Sequence, residues 1–135
     1  MELRAAGGRT AVIATEEAPR AIGPYSQGVA VDGLVFTAGQ IGLDPADGRL
    51  VAGGIEPEAR RALANLRAVL ESGSASLASV IKTTVFLVDM ADFPAMNAVY
   101  GEHFSAPFPA RSTIAVRALP LGARFEIEAI AGTLG

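Results

Sequence analysis

Arg111-Ser112-Thr113-Ile114-Ala115-Val116 and Phe125-Glu126-Ile127-Glu128-Ala129-Ile130 are two strand-like segments that carry charge where a buried sheet face would be apolar. Side chains alternate between faces of a strand, so Arg111 and Thr113 share one face and Ile114 and Val116 the other, while Glu126 and Glu128 stand together. If the two strands pair, one guanidinium and two carboxylates lie on a single side of the sheet. Ile114, Val116, Phe125 and Ile127 then lie on the opposite side, beneath helices. An Arg in that setting can fork onto a planar carboxylate, and a partly desolvated Glu can exchange protons near neutral pH. A small acid is the natural ligand. A cross-strand ion pair on a solvated face accounts for the same pattern and is worth at most about 1 kcal/mol, so the rest of the chain has to decide.

The remaining strands and helices follow from periodicity and turn chemistry. Ala11-Val12-Ile13-Ala14 reads as a first strand. Gly28 to Val31 and Leu34 to Gly39 are strands joined by Asp32-Gly33, a type I′ hairpin signal. Asp44-Pro45-Ala46-Asp47-Gly48 is a second turn, with Gly at the left-handed position; its two Asp lack the further ligands of a cation loop. Between Glu56 and Glu71, Ala59, Ala62, Leu63, Leu66, Val69 and Leu70 recur at helical spacing, with Pro57 in the first turn and Gly73 beyond the end. Val80 to Val88 is a long strand, apolar on both faces. Asp92 is placed to cap a helix running to about Phe104, striped by Phe93, Met96, Tyr100 and Phe104. Asn97 falls inside that stripe, where an amide either pins a neighbouring loop or touches a ligand.

Two helices cover only one face of a sheet of five or six strands. The other face needs a partner, and a second copy of the chain is the simplest one, with the charged positions at or beside the subunit interface. The chain is a single domain spanning 1–135, half apolar, with net charge −3. An acidic chain has no basic footprint for nucleic acid, which argues against that partner. Zero Cys excludes thiol nucleophiles, disulfides and thiolate metal sites, and a lone His103, read as a surface residue at a helix C-terminus, supplies no metal cluster. Ser26, Ser112 and Thr113 carry no sequence signature of an activated nucleophile. Met1 to Gly8 has no apolar signal-like run and no segment approaches a membrane span, so a cytoplasmic location without membrane contact is the expectation. Acid–base and electrostatic chemistry by Arg, Glu and backbone groups remains.

Five segments then form one recognisable set: Ala21-Ile22-Gly23-Pro24-Tyr25-Ser26-Gln27-Gly28, Thr37-Ala38-Gly39-Gln40-Ile41, Val80-Ile81-Lys82-Thr83-Thr84-Val85-Phe86, Pro109-Ala110-Arg111-Ser112 and Glu126-Ile127-Glu128-Ala129-Ile130-Ala131. In this order and spacing, over residues 10 to 132, the chain resembles the RidA/YjgF family. The resemblance implies a chorismate-mutase-like α+β fold, a mixed sheet with two helices on one face, assembled as a homotrimer with clefts between subunits. It implies hydrolytic deamination of reactive enamines and imines such as 2-aminoacrylate to a 2-keto acid and ammonia, with no metal or organic cofactor. Arg111 falls on the family arginine that holds the substrate carboxylate, and Glu126 on the glutamate that orients water and moves protons. Tyr25, Gly39, Asn97 and Thr113 fall on substrate-binding positions. The chain departs from the family pattern at Ala38, where a hydroxyl residue is common, at Thr113, where Cys is common, and at Glu58, where Gln is common. A ribonuclease or translation-inhibitor role, and non-catalytic binding of small 2-keto acids, are the alternatives.

Overall fold

The computed structural model describes residues 2–5 and 8–134, with side chains from Thr10 onward. Among these residues seven strands form one sheet: β1 (Glu2–Ala5), β2 (Gly8–Ile13), β3 (Gly28–Val31), β4 (Leu34–Thr37), β5 (Val80–Leu87), β6 (Ala110–Ala115) and β7 (Phe125–Gly132). Their order is β1-β2-β3-β4-β7-β5-β6. Helices α1 (Ile55–Ser72) and α2 (Phe93–His103) lie against one face. The sheet is mixed because β5 and β6 run parallel, which requires a crossover, and α2 is that crossover.

The apolar stripe of α1 is buried as its spacing demands: Ala59, Ala62, Leu63, Leu66, Val69 and Leu70 are all inaccessible. They pack with Val35, Val85, Leu87, Phe125 and Ile127 and with Met96, Val99 and Tyr100 of α2 in one core. Gly73 ends α1 with its N–H donating to the Leu70 carbonyl at 2.9 Å. Asp32 and Gly33 have φ of 48° and 81°, the positive pair that a type I′ turn needs. Gly48 has φ 72°, while Asp44 and Asp47 each accept an N–H two residues on, from Ala46 and Arg49, at 2.9 Å. Both carboxylates serve their own turn.

Four expectations are corrected. First, β6 and β7 do not pair: β5 lies between them, parallel to one and antiparallel to the other. Thr83 stands opposite both Arg111 and Ala129, and Val85 opposite both Thr113 and Ile127. Thr83, Val85 and Leu87 are all fully buried beneath the helices. Arg111 and Thr113 therefore share the helix-covered side with Phe125 and Ile127, whereas Glu126 and Glu128 share the bare side with Ile114, which is 45% exposed. Alternation fixes which residues share a face within a strand, but not the phase between strands.

Second, the sheet has a seventh strand, β1, whose Glu2-Leu3-Arg4-Ala5 sequence alternates charged and apolar residues over only four positions, too few to mark a strand by periodicity alone. Third, Asp92 sits at the start of α2 without capping it. Its backbone is helical, and its carboxylate instead accepts Nε and Nη2 of Arg124 at 3.0 and 2.8 Å. The side-chain cap belongs to the preceding turn, where Asp89 accepts the Ala91 N–H at 2.9 Å. Fourth, His103 is half-buried rather than a surface residue, with Nδ1 2.9 Å from the Val99 carbonyl oxygen and therefore the donor.

The sheet face away from the helices is left uncovered. Phe36, 38% exposed, and Ile114 lie on it, with Phe86 and Ile130 half-buried between them. Lys82 Nζ, donating to Ser112 Oγ at 2.9 Å, is the basic group beside them.

Candidate active site

Five of the six candidate residues divide between two pockets, and Thr113 lines neither. Tyr25, Gly39 and Glu126 line one of about 210 Å³, with Gln40, Leu121 and Arg20. Asn97 and Arg111 line another of about 430 Å³, with Tyr100, Gly101, Phe108 and Pro109. From two strand spacings and three residue rises, Arg111 and Glu126 are about 14 Å apart in the plane of the sheet, and they point to opposite sides of it. One chain does not bring them together.

The Glu126 half is built by a backbone bridge. Gln40 N–H donates to the Ile127 carbonyl at 2.8 Å and Ile127 N–H returns to Gln40 at 3.0 Å, which lays Gly39 against the Glu126 side chain. A Cβ at position 39 would stand 2.6 Å from Glu126 Oε2 and 2.8 Å from Cδ, so any larger residue there would push the Glu126 carboxylate out of its present place. Burial lifts the Glu126 carboxyl above the ordinary carboxylate range, and the neighbouring charge of Glu128 lifts it further. Tyr25, half-exposed, closes one side of the pocket.

The segment before Tyr25 is held by Gln27, which the sequence reading passed over. Gln27 is 5% exposed; its amide donates to the carbonyls of Thr15, Ala18 and Pro19 at 3.0, 3.3 and 2.7 Å and accepts the Thr15 N–H at 2.6 Å. A polar residue in a polar stretch gives no sign of such burial. Ala38 leaves the adjoining hydroxyl absent, though its N–H is used, donating to the Gln27 carbonyl at 2.8 Å.

The Arg111 half is built on α2. The guanidinium carbon lies 4.6 Å from the Tyr100 ring centroid and 5.6 Å from that of Phe93, a stacked position that leaves its N–H edges free for a carboxylate. Among the described residues Arg111 makes no ion pair. Asn97 is exposed beside it and pins no loop, because the buried positions of α2 are Met96, Val99 and Tyr100. Thr113 follows on the same strand face, its Oγ1 buried without a partner. Among the described residues no cluster of His, Cys, Asp or Glu has the makings of a metal site. His103 lies elsewhere, in a groove with Arg61, Arg67 and Glu71.

The family model described as Endoribonuclease L-PSP matches residues 15–133. A human protein named 2-iminobutanoate/2-iminopropanoate deaminase is 49% identical over 120 residues, covering 89% of this chain and 88% of its own. The crystal structure of RidA from the Antarctic bacterium Psychrobacter sp. superposes with TM-score 0.87 at 39% identity, over 90% of this chain and 98% of the other. That of the YjgF gene product of E. coli does so with TM-score 0.84 at 44% identity, over the same shares. The sheet with two helices on one face is thus the fold of these structures, and the chain belongs to the RidA/YjgF family, the Endoribonuclease L-PSP family of the matching model.

Proposed function

We propose that the protein hydrolyses reactive enamine and imine intermediates, such as 2-aminoacrylate and its imine tautomer, to a 2-keto acid and ammonia, as a cytoplasmic homotrimer with its sites between subunits. The observation that carries this reading is the division of complementary chemistry between two open pockets. One holds a cation free to bind a carboxylate; the other holds a carboxyl poised to take up and release protons. The bare, partly apolar sheet face that bears Glu126 is the surface on which a second copy would seat. A rotational assembly sets the Arg111 pocket of one copy against the Glu126 pocket of the next. The name of the human relative supplies the reaction class.

In such a site Arg111 holds the substrate carboxylate through two parallel N–H···O bonds, with Asn97 and Thr113 at its side. Glu126 accepts a proton from water as the oxygen attacks C2 of the C=N bond. It passes that proton to the nitrogen to complete the neutral carbinolamine, then takes the carbinolamine hydroxyl proton and delivers it to nitrogen as the C–N bond breaks, so that ammonia leaves and the ketone forms. Gly39 keeps Glu126 at its station. Gly39→Ala is expected to lower kcat by about tenfold or more through displacement of the carboxylate, with assembly unchanged in sedimentation; wild-type kcat would show that the close approach is idle.

A ribonuclease reading draws on the description of the matching family, but His103 lines neither pocket. The deciding experiment supplies 2-aminoacrylate generated in situ, and separately RNA, to the same preparation. Release of 2-keto acid above the spontaneous rate, with RNA intact, is the expected result. RNA cleavage without acceleration of imine hydrolysis, or binding of keto acid without turnover, would overturn it.

A further inference from the structure

The Arg111 guanidinium is not held by any carboxylate among the described residues; what lies beneath it is a ring, and that ring is itself fixed from below. Tyr100 is 5% exposed, and its hydroxyl lies 2.8 Å from Thr83 Oγ1, a fully buried residue. Thr83 is the cross-strand neighbour of Arg111. The three residues therefore close a loop: Arg111 beside Thr83 in the sheet, Thr83 hydrogen-bonded to Tyr100, and Tyr100 under Arg111 at 4.6 Å. A buried hydroxyl pair contributes little net stability compared with an apolar pair of the same shape, so packing alone gives no reason for Tyr and Thr here instead of Phe and Val. What the pair does fix is the lateral position and tilt of the ring. A fixed ring face in turn fixes the plane of a stacked guanidinium, because attraction to the ring falls away as the cation slides off its centre. Phe93, 5.6 Å away, limits movement on one further side.

We propose that Tyr100, anchored by Thr83, is a positioning residue that sets the plane of Arg111 for two-point recognition of the substrate carboxylate; this rests on the reading of Arg111 as the carboxylate-holding group. Tyr100→Leu removes the ring, while Tyr100→Phe and Thr83→Val keep it but cut the anchor. Pyruvate binding by calorimetry and the Arg111 Nε–Hε resonance by NMR read the arginine without requiring turnover. Tyr100→Leu is expected to weaken pyruvate about tenfold and to raise KM by a similar factor, the scale of one desolvated cation–π contact. The Arg111 signal should lose its ring-current shift. In an Arg111→Lys background the same substitution should matter by less than about twofold, because coupled groups are not additive. Tyr100→Phe should restore most of the affinity, and Thr83→Val should leave the Arg111 signal shifted less than in the wild type. Independent losses in the double variant, or an Arg111 signal unmoved in Tyr100→Leu, would overturn the proposal. If Tyr100→Leu fails to fold, an Arg111 signal unmoved in both Tyr100→Phe and Thr83→Val overturns it instead. A wild-type protein that hydrolyses no imine while Tyr100→Leu still moves the Arg111 signal would sink the deaminase reading and uphold the positioning role.

Discussion

Glu126→Gln is expected to lower kcat for imine hydrolysis by about a hundredfold or more, the usual scale for losing a general acid–base group. The amide keeps the shape and can still hold a water, but it cannot take its proton. Glu128→Gln, two residues along the same strand face and roughly 6–7 Å away, should change kcat much less. Steady-state kinetics on 2-aminoacrylate generated in situ compares them: equal losses would mean a shared carboxylate site, and a larger loss at Glu128 would move the acid–base role there. The same variant has a signature in stability. Glu126 has a folded pKa above its unfolded one, so burial favours its protonated form and disfavours its ionised form. Its contribution to stability is present below the ordinary carboxylate range and is lost as pH rises through the elevated folded value. Glu126→Gln removes this dependence, so its melting temperature should fall less than the wild type's over that pH span. Parallel pH profiles would contradict the assigned environment.

Arg111→Lys is expected to lose most of the activity while leaving fold and assembly intact. The ammonium keeps the charge but presents no planar fork, and it stacks less well on the Tyr100 ring. The loss should appear chiefly as a raised KM for carboxylate substrates, because the interaction removed holds the ground state as well as the transition state. Wild-type kcat/KM in this variant would show that two-point contact is unimportant. Thr113→Cys, by contrast, should leave activity within about tenfold, since position 113 contributes size and main-chain groups, and kinetics on the same substrate would reveal any larger dependence on the hydroxyl.

The sequence was informative wherever a local rule has one answer. The spacing of Ala59, Leu63, Leu66 and Leu70 admits only a helix with one buried side. Asp32-Gly33 admits a tight hairpin because both residues tolerate positive φ. It was silent where the answer depends on non-local pairing. Arg111 and Glu126 each announce chemistry by interrupting an apolar strand, yet nothing in either segment says that β5 intervenes, or that their faces are opposed. Gln27 and Asp92 illustrate the same limit: each is a polar residue whose partners, the 15–19 carbonyls and Arg124, are brought to it only by the finished fold. Asn97 misled in the other direction, since helical spacing placed it in a stripe that in the folded protein runs through Met96 and Tyr100 beside it. Expected strand pairing and family resemblance both put Arg111 and Glu126 in one site; with their faces opposed, the proposed site needs one of the two from a second copy.

The central claim, that each site takes Arg111 from one copy and Glu126 from another, is tested most directly by complementation. Arg111→Ala and Glu126→Gln variants, each nearly inactive alone, are co-expressed as an equal mixture and the mixed assemblies isolated. In every mixed trimer about one third of the interfaces pair an intact Arg111 with an intact Glu126, so imine hydrolysis should return to about one third of the wild-type rate. Mixed assemblies no more active than the two variants alone would contradict a site shared between copies.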